Sequence, residues 1–363
     1  MRVSSWTTSA ADAVRAGRAL SLACVALLLA ACDDGKLQSF GGPTMGSTFR
    51  IQYVATAKTP SGERLQAGVQ AILAEIDAAL STYRDDSDVA RFNAAPAGTC
   101  TRMPASVVRL YAYAQELHGE SDGAFDVTLL PALSAWGFGP RGQVTERPTA
   151  ETLEALRDVV GMAHVRFAAA EPKTLCKDAA SSVEFNSVAA GYAVDRVTDY
   201  LRAEGVTSFL IDITGELRAY GRKPDGSAWR IALEAPISNA RVAERILPLE
   251  GMAVSTSGNY RNYYEEAGVR YSHTLDPRTL SPVTHKLASV SVIADTALEA
   301  DGLSTLLMAL GPERGYDFAI GHKLAAFFVV KADATVDETD KRAFTVRDTP
   351  EFEKRFPALK GSS

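Results

Sequence analysis

Apolar residues recur along this chain with two periods. Residues 49–54 put Phe49, Ile51 and Tyr53 on one side of an alternating segment, the period of a half-buried strand. Leu65, Val69, Ile72, Ile76 and Leu80 fall at three- and four-residue steps and make one face of an amphipathic helix. Further helices are expected over 107–118, over 151–160 behind Pro148, over about 191–203 and over 297–310. Gly205 suits the stop of the fourth, and Gly311-Pro312 closes the last. Strands are expected at 208–213, 229–233, 251–255, 271–274, 289–294 and 325–330. The stretch 41–48 is glycine-rich, and 131–140, with Trp136 and Phe138, reads as an ordered aromatic loop. Helices and strands mix without a regular βαβ beat. That predicts an α+β fold with mixed or antiparallel sheets and packed helices.

The N-terminus follows a different logic. Arg15 and Arg18 precede an apolar run at 19–31, a basic flank and short hydrophobic segment in the layout of a secretory signal. The run falls short of the roughly 20 residues that a membrane-crossing helix needs. It ends in Leu29-Ala30-Ala31-Cys32, which resembles a bacterial lipobox and implies a lipid on Cys32. An ordinary signal that happens to end near a cysteine is the other reading. Asp33 directly after Cys32 resembles the signal that retains lipoproteins in the inner membrane of two-membrane bacteria, so the expected location is that membrane's periplasmic side. The expected organisation is a signal at 1–31, a tether at 32–40, a folded domain at 41–350 and a tail at 351–363.

Composition narrows the partners. No second long apolar run follows, and the chain carries a formal −6, which becomes −8 once 1–31 is removed. An acidic body argues against nucleic acid but leaves room for an anionic ligand held through a metal. Four cysteines are present; Cys24 leaves with the signal and Cys32 takes lipid. Cys100 and Cys176 remain in a compartment that permits disulfides. They form a bridge or stay as two buried thiols, and their spacing does not choose.

Several residues can carry chemistry. Asp301 and Thr305 share a helix face and are hard oxygen ligands suited to Mg²⁺ or Ca²⁺; a back-bonded helical Thr beside an ordinary Asp is the plainer reading. His273, next to a turn with Asp276 and Arg278, can act as a base near neutral pH or serve as a hydrogen-bonded structural histidine. Asp126 can bind a ligand amide or hydroxyl, or cap a turn. Residues 256–260 offer donors fit for phosphate, or an ordinary loop. The common nucleotide-binding glycine loops and the G-x-S-x-G elbow are absent.

Taken in order, eight segments resemble the FAD:protein FMN transferases of the ApbE family. They are Thr44-Met45-Gly46-Ser47; Leu80-Ser81-Thr82-Tyr83 with Ser87 and Arg91-Phe92-Asn93; Gly123-Ala124-Phe125-Asp126 with Trp136-Gly137-Phe138-Gly139; Gly191-Tyr192-Ala193-Val194-Asp195-Arg196; Gly215-Glu216; Ser255-Thr256-Ser257-Gly258; residues 272–279; and Ala300-Asp301. The resemblance implies FAD as substrate, in a cleft between two closely packed subdomains, with Mg²⁺ on its pyrophosphate. A Thr or Ser hydroxyl of an acceptor protein takes FMN as a phosphoester, and AMP leaves. Matched by position, Asp301, Thr305 and the Ala189 carbonyl are metal ligands and His273 is the base. Met45, Tyr83, Ala124, Phe125, Asp126, Asn186, Tyr192 and Leu275 match flavin-site residues. The implied acceptor is a membrane redox subunit.

Three departures stand out. Residues 184–190 read Glu-Phe-Asn-Ser-Val-Ala-Ala where the family usually ends in lysine, so Ala190 removes a positive charge. Asp212-Ile213-Thr214-Gly215-Glu216 replaces the usual Asn-Ile-Gly-Gly-Glu, and Leu280 stands where a glycine is usual. The alternatives to transfer are an FAD pyrophosphatase releasing FMN and AMP, and a non-catalytic FAD-binding or maturation protein.

Overall fold

The computed structural model describes residues 35–140, 142, 147–237, 242–259, 263–266, 269–332 and 340–357. Cys32, the signal at 1–31 and the end of the expected tail lie outside them. No helix among the described residues is long and apolar enough to cross a membrane.

Eight strands form one sheet, every neighbouring pair antiparallel, and their order across the sheet is their order in the chain. Labelling these alone, they are β1 (Lys36–Thr44), β2 (Ser47–Ala55), β3 (Phe209–Ile213), β4 (Glu216–Tyr220), β5 (Ala253–Gly258), β6 (Leu287–Ala294), β7 (Ala325–Lys331) and β8 (Phe344–Asp348). The helices are α1 (Gly62–Leu80), α2 (Asp88–Ala94), α3 (Ala105–Glu120), α4 (Leu130–Ala135), α5 (Ala150–Leu156), α6 (Ala189–Ala203), α7 (Ala297–Gly321) and α8 (Pro350–Arg355). This is the expected α+β fold.

Strand alternation sends each sheet face to a different core. Phe49, Ile51 and Tyr53 of β2 meet Leu65, Val69 and Ile76 of α1 and Val197 and Leu201 of α6. On the same face, Val290 and Val292 pack on Leu307 and Met308 of α7. The opposite face buries Val254, Ile293, Phe327 and Val329 under the hairpin Trp229–Glu234/Ala243–Leu249 and under Phe352 of α8. Six helices, and a three-stranded sheet of Cys100–Arg102, Glu171–Lys177 and Val165–Ala168, are inserted between β2 and β3. Two small hairpins lie between β5 and β6, with Leu275 in the second and His273 on the link between them.

Several expectations need correction. The chain enters the sheet at Lys36, so 36–40 belong to β1 and not to a tether. Residues 41–48 are the end of β1, the start of β2 and a tight turn at Met45 and Gly46, both at left-handed φ (46° and 70°). Residues 130–135 form α4 and not a loop, and α5 ends at Leu156. The expected tail begins as α8, with Phe352 fully buried.

α7 also continues past its expected end. Gly311 breaks it at φ 84°, and helix resumes at Pro312. Pro312 has no N–H to give the carbonyl four residues back, Met308. His285 takes that place: its Nε2 lies 2.8 Å from the Met308 carbonyl, while its Nδ1 accepts from the Leu287 amide at 3.3 Å. The ring therefore sits neutral with the proton on Nε2, and burial pushes its pKa below the ordinary histidine value.

Candidate active site

The N-termini of α6 and α7 cap each other. The first amides of any helix lack partners within it. In α7 the Ala297 and Leu298 amides donate to the two Asp195 oxygens at 2.9 and 3.0 Å, and Thr296 accepts from Glu299. In α6 the N-cap residue Val188 offers no side-chain acceptor, and Asp301 fills the gap by accepting from the Gly191 amide at 2.8 Å. Only glycine permits this approach. A Cβ on residue 191 would stand 2.3 Å from the Ala297 carbonyl oxygen and 2.7 Å from Asp301 Cβ. Arg218 of β4 pairs with Asp195 and ties the helices to the sheet.

Beneath α7, the sheet supplies oxygens. Ser304 lies 2.9 Å from both Ser255 and Ser257 of β5, and Ser257 lies 3.4 Å from Thr305. Burial first, then the Glu216 charge, push the Asp301 carboxyl well above the carboxylate range, against the Gly191 bond. Glu216 is pushed up to about 7 by burial, a bond from Ser255 opposing and Asp212 adding to the shift. Its Oε2 is buried with no hydrogen-bond partner among the described residues. Two crowded carboxyls, an orphaned oxygen and neutral hydroxyls fit a divalent cation. Among the described residues no group of three His, Cys, Asp or Glu could hold a metal. The oxygens of Asp301, Glu216 and Thr305 are of the type that Mg²⁺ takes, with one or two carboxylates and the rest of its shell from water and substrate phosphate.

A second acidic pair stands at the turn behind α3. Asp126 accepts from the Thr128 amide at 2.7 Å and from the Thr128 hydroxyl at 2.5 Å. Burial nevertheless raises its pKa. Glu184, buried and held near Asp126, is pushed up to about 7 by burial and by that charge, against the Asn186 amide that donates to it at 2.8 Å.

The remaining expected residues distribute as follows. Ala189 opens α6, two residues before Gly191. Ala124, Phe125, Ala189 and Tyr192 share one buried cluster, with half-buried Met45 packed on it. Tyr83 is 68% exposed in the loop after α1, and Asn186 is exposed. His273 is half-buried directly after the strand Val269–Ser272, 6.4 Å from the Phe138 ring. Leu275 belongs to a separate cluster with Leu129, Trp136 and Leu280. The structure thus joins Asp301 to α6, Asp126 to the Asn186 segment, and His273 to the Phe138 segment. Site residues that sequence reasoning passed over are Asp195, Glu216, Ser255 and Ser304. Asp195, Glu216 and Ser255 lay inside the segments already matched, without roles, and Ser257 lay in the stretch read as phosphate donors.

A sheet flanked by helices, with capped helix ends over an acidic, hydroxyl-rich patch, defines the class. A sequence model of the ApbE family matches residues 45–328, and the chain belongs to this family. A FAD:protein FMN transferase of Vibrio cholerae is 37% identical over 320 residues, spanning 88% of this chain and 95% of that protein. One from Haemophilus influenzae is 35% identical over 85% of this chain and 91% of its own. Among solved structures, the apo flavinyl transferase ApbE of Pseudomonas stutzeri matches with a TM-score of 0.81 at 51% identity, covering 90% of this chain and 98% of that one. The flavin transferase ApbE of Vibrio cholerae gives 0.80 at 34% identity, covering 88% and 99%.

Proposed function

We propose that this protein moves FMN from FAD to a Ser or Thr hydroxyl of an acceptor protein, with Mg²⁺ bound at the α6–α7 junction. The observation that carries the reading is the buried Asp301, set between the Gly191 amide and Glu216 on the helix that also bears Thr305. Asp301, Thr305 and the Ala189 carbonyl would hold the cation, whose charge would offset that of the pyrophosphate and ease approach of the nucleophile. Met45, Tyr83, Ala124, Phe125, Asp126, Asn186, Tyr192 and Leu275 surround the flavin. His273 takes the proton of the acceptor hydroxyl at an imidazole nitrogen. The hydroxyl oxygen forms a bond to the FMN phosphorus, and the bond from that phosphorus to the bridging oxygen breaks as AMP leaves. Cys32 carries the lipid that keeps the enzyme on the periplasmic side of the inner membrane, facing a membrane redox subunit. The small-small-Cys ending of the apolar run supports that anchor.

One incubation decides among the chemistries. The folded body is mixed with FAD, Mg²⁺ and a candidate acceptor domain, and AMP, free FMN and protein-bound flavin are followed by mass. FMN joined to the acceptor with equimolar AMP is the expected result. Free FMN with AMP would replace transfer by pyrophosphatase activity. Intact bound FAD without turnover would leave a carrier, the reading that the loss of lysine at Ala190 favours.

A further inference from the structure

Eleven residues, 178–188, link the small three-stranded sheet to α6 without a regular element of their own. They contain Glu184 and Asn186 and lead directly into Ala189, so their register decides where flavin-site and metal-site atoms fall. Two contacts set that register from outside. The Asn93 side chain pairs with residue 183 like a neighbouring strand: its Nδ2 donates to the Val183 carbonyl at 2.8 Å, and its Oδ1 accepts from the Val183 amide at 2.8 Å. Lys177, 1% exposed, donates from Nζ to the Ser181 carbonyl at 3.1 Å and to the Asn93 carbonyl at 2.9 Å, with the Phe92 ring 5.2 Å away.

A buried ammonium is expensive to keep, and both of these acceptors are neutral carbonyls. Burial accordingly pushes its pKa below the ordinary lysine value. Its backbone is fixed as firmly: the Lys177 amide donates to Thr99, the Gly98 amide donates to Lys177, and the adjacent Cys176 is bonded to Cys100. Beyond the clamp, the chain is taken up at once by Val127, whose carbonyl accepts from the Glu184 amide at 2.8 Å.

We propose that Asn93 and Lys177 are positioning residues for flavin transfer, holding 178–188 in the one register that presents Asn186 to FAD and Ala189 to the cation. This rests on the transferase reading above. Neither residue touches the reacting atoms. Their effect reaches the substrate through the segment that they clamp, as outer-shell partners act on the groups they orient.

The test compares Asn93→Leu, Lys177→Met and a control, Phe352→Ala, in the core on the far side of the sheet. FAD affinity is measured by flavin fluorescence with Mg²⁺ present and acceptor absent, at a temperature where each variant is fully folded. Hydrogen exchange at the Val183 amide is followed in parallel. The expected result is a rise in Kd of about 10- to 100-fold in both clamp variants, with Val183 protection lost and the control unchanged. Should Lys177→Met fail to fold, Asn93→Asp serves instead. It keeps the acceptor for the Val183 amide and loses the donor, so its Kd rises less than that of Asn93→Leu. Unchanged affinity in the folded clamp variants, or an equal rise in the control, overturns the proposal. Wild-type protein that binds no FAD overturns the transferase reading and the clamp together; wild-type binding with unaltered variants overturns the clamp alone.

Discussion

Asp301 carries two duties that one substitution can separate. As an acceptor it completes the first turn of α6 through Gly191; as a charge it is the carboxylate best placed for a cation. Asparagine keeps an oxygen for the Gly191 amide and loses the charge. On the metal site proposed above, Asp301→Asn is expected to melt near the wild-type temperature, to show no upward shift with Mg²⁺ where the wild type is expected to show one, and to make no flavinylated acceptor. Retained transfer in this variant would remove Asp301 from the metal site. His273 predicts a different pattern. With His273→Ala, kcat falls by about 10²–10⁴-fold while FAD affinity holds, because a general base acts on the acceptor and not on the flavin. Equal losses in both quantities would make His273 a structural residue. Gly191 tests the helix junction itself. Alanine gains about 1 kcal/mol of helix propensity. The overlap with the Ala297 carbonyl is worse than ordinary overpacking, which itself costs about 1–3 kcal/mol. Sterics win, and Gly191→Ala should show a lower urea midpoint; an increase would mean that the two helices move apart freely.

At the scale of elements, the break in α7 makes stability depend on pH. His285 must be neutral to accept from Leu287 while donating to Met308. Its folded pKa lies below the unfolded value of 6.5. The unfolded chain therefore binds the extra proton first, and stability is lost as pH falls below about 6.5 toward the folded pKa. His285→Gln, whose amide can still donate to Met308, should be less stable than wild type at pH 8 and lose less on going to pH 5. Identical pH slopes in the two proteins would dismiss the ring as the cause. No periodicity announces this break. A glycine and proline after an apolar helix face read as a stop, and His285, just ahead of β6, takes up the Met308 carbonyl that Pro312 cannot serve. The same limit explains the other differences. α1, α3 and α6 show their period because one face is buried and the other wet. β1 and β8 lie at the two sheet edges, largely exposed, so neither shows a clean alternation of apolar and polar positions. Asp301 and Thr305 were legible as neighbours on a helix. Their partners Gly191, Glu216 and Ser257 were not, since each arrives from a different element. Residue types within a segment do not state which segment they will meet.

For the whole molecule, the question is how a long insertion stays attached to a single sheet. Between β2 and β3 the described residues run through six helices and a sheet of three short strands. Isolated strands of this kind are marginal by themselves. Among the links that fasten them, the Tyr111 hydroxyl of α3 donates to the Val165 carbonyl at 2.5 Å, Lys177 donates to the Asn93 carbonyl, and Cys100 is bonded to Cys176 across paired strands. The disulfide closes a loop with a sequence separation of 76, which contains α3, α4 and α5. A loop of that length would cost the unfolded chain about 4 kcal/mol in the entropic picture, and measured bridges commonly deliver about 2–4 kcal/mol. The bridge also borders Lys177, so its loss should loosen the segment feeding α6 before it unfolds the eight-stranded sheet. Reduction, or Cys100→Ser with Cys176→Ser, is thus expected to lower the urea midpoint by an amount worth about 2–4 kcal/mol. Hydrogen exchange should rise first in 98–103 and 171–183, with β5–β7 still protected. A uniform rise across both regions would show that the insertion and the sheet unfold as one unit. An unchanged midpoint would show that packing alone holds the insertion, and that the bridge follows the fold without supporting it.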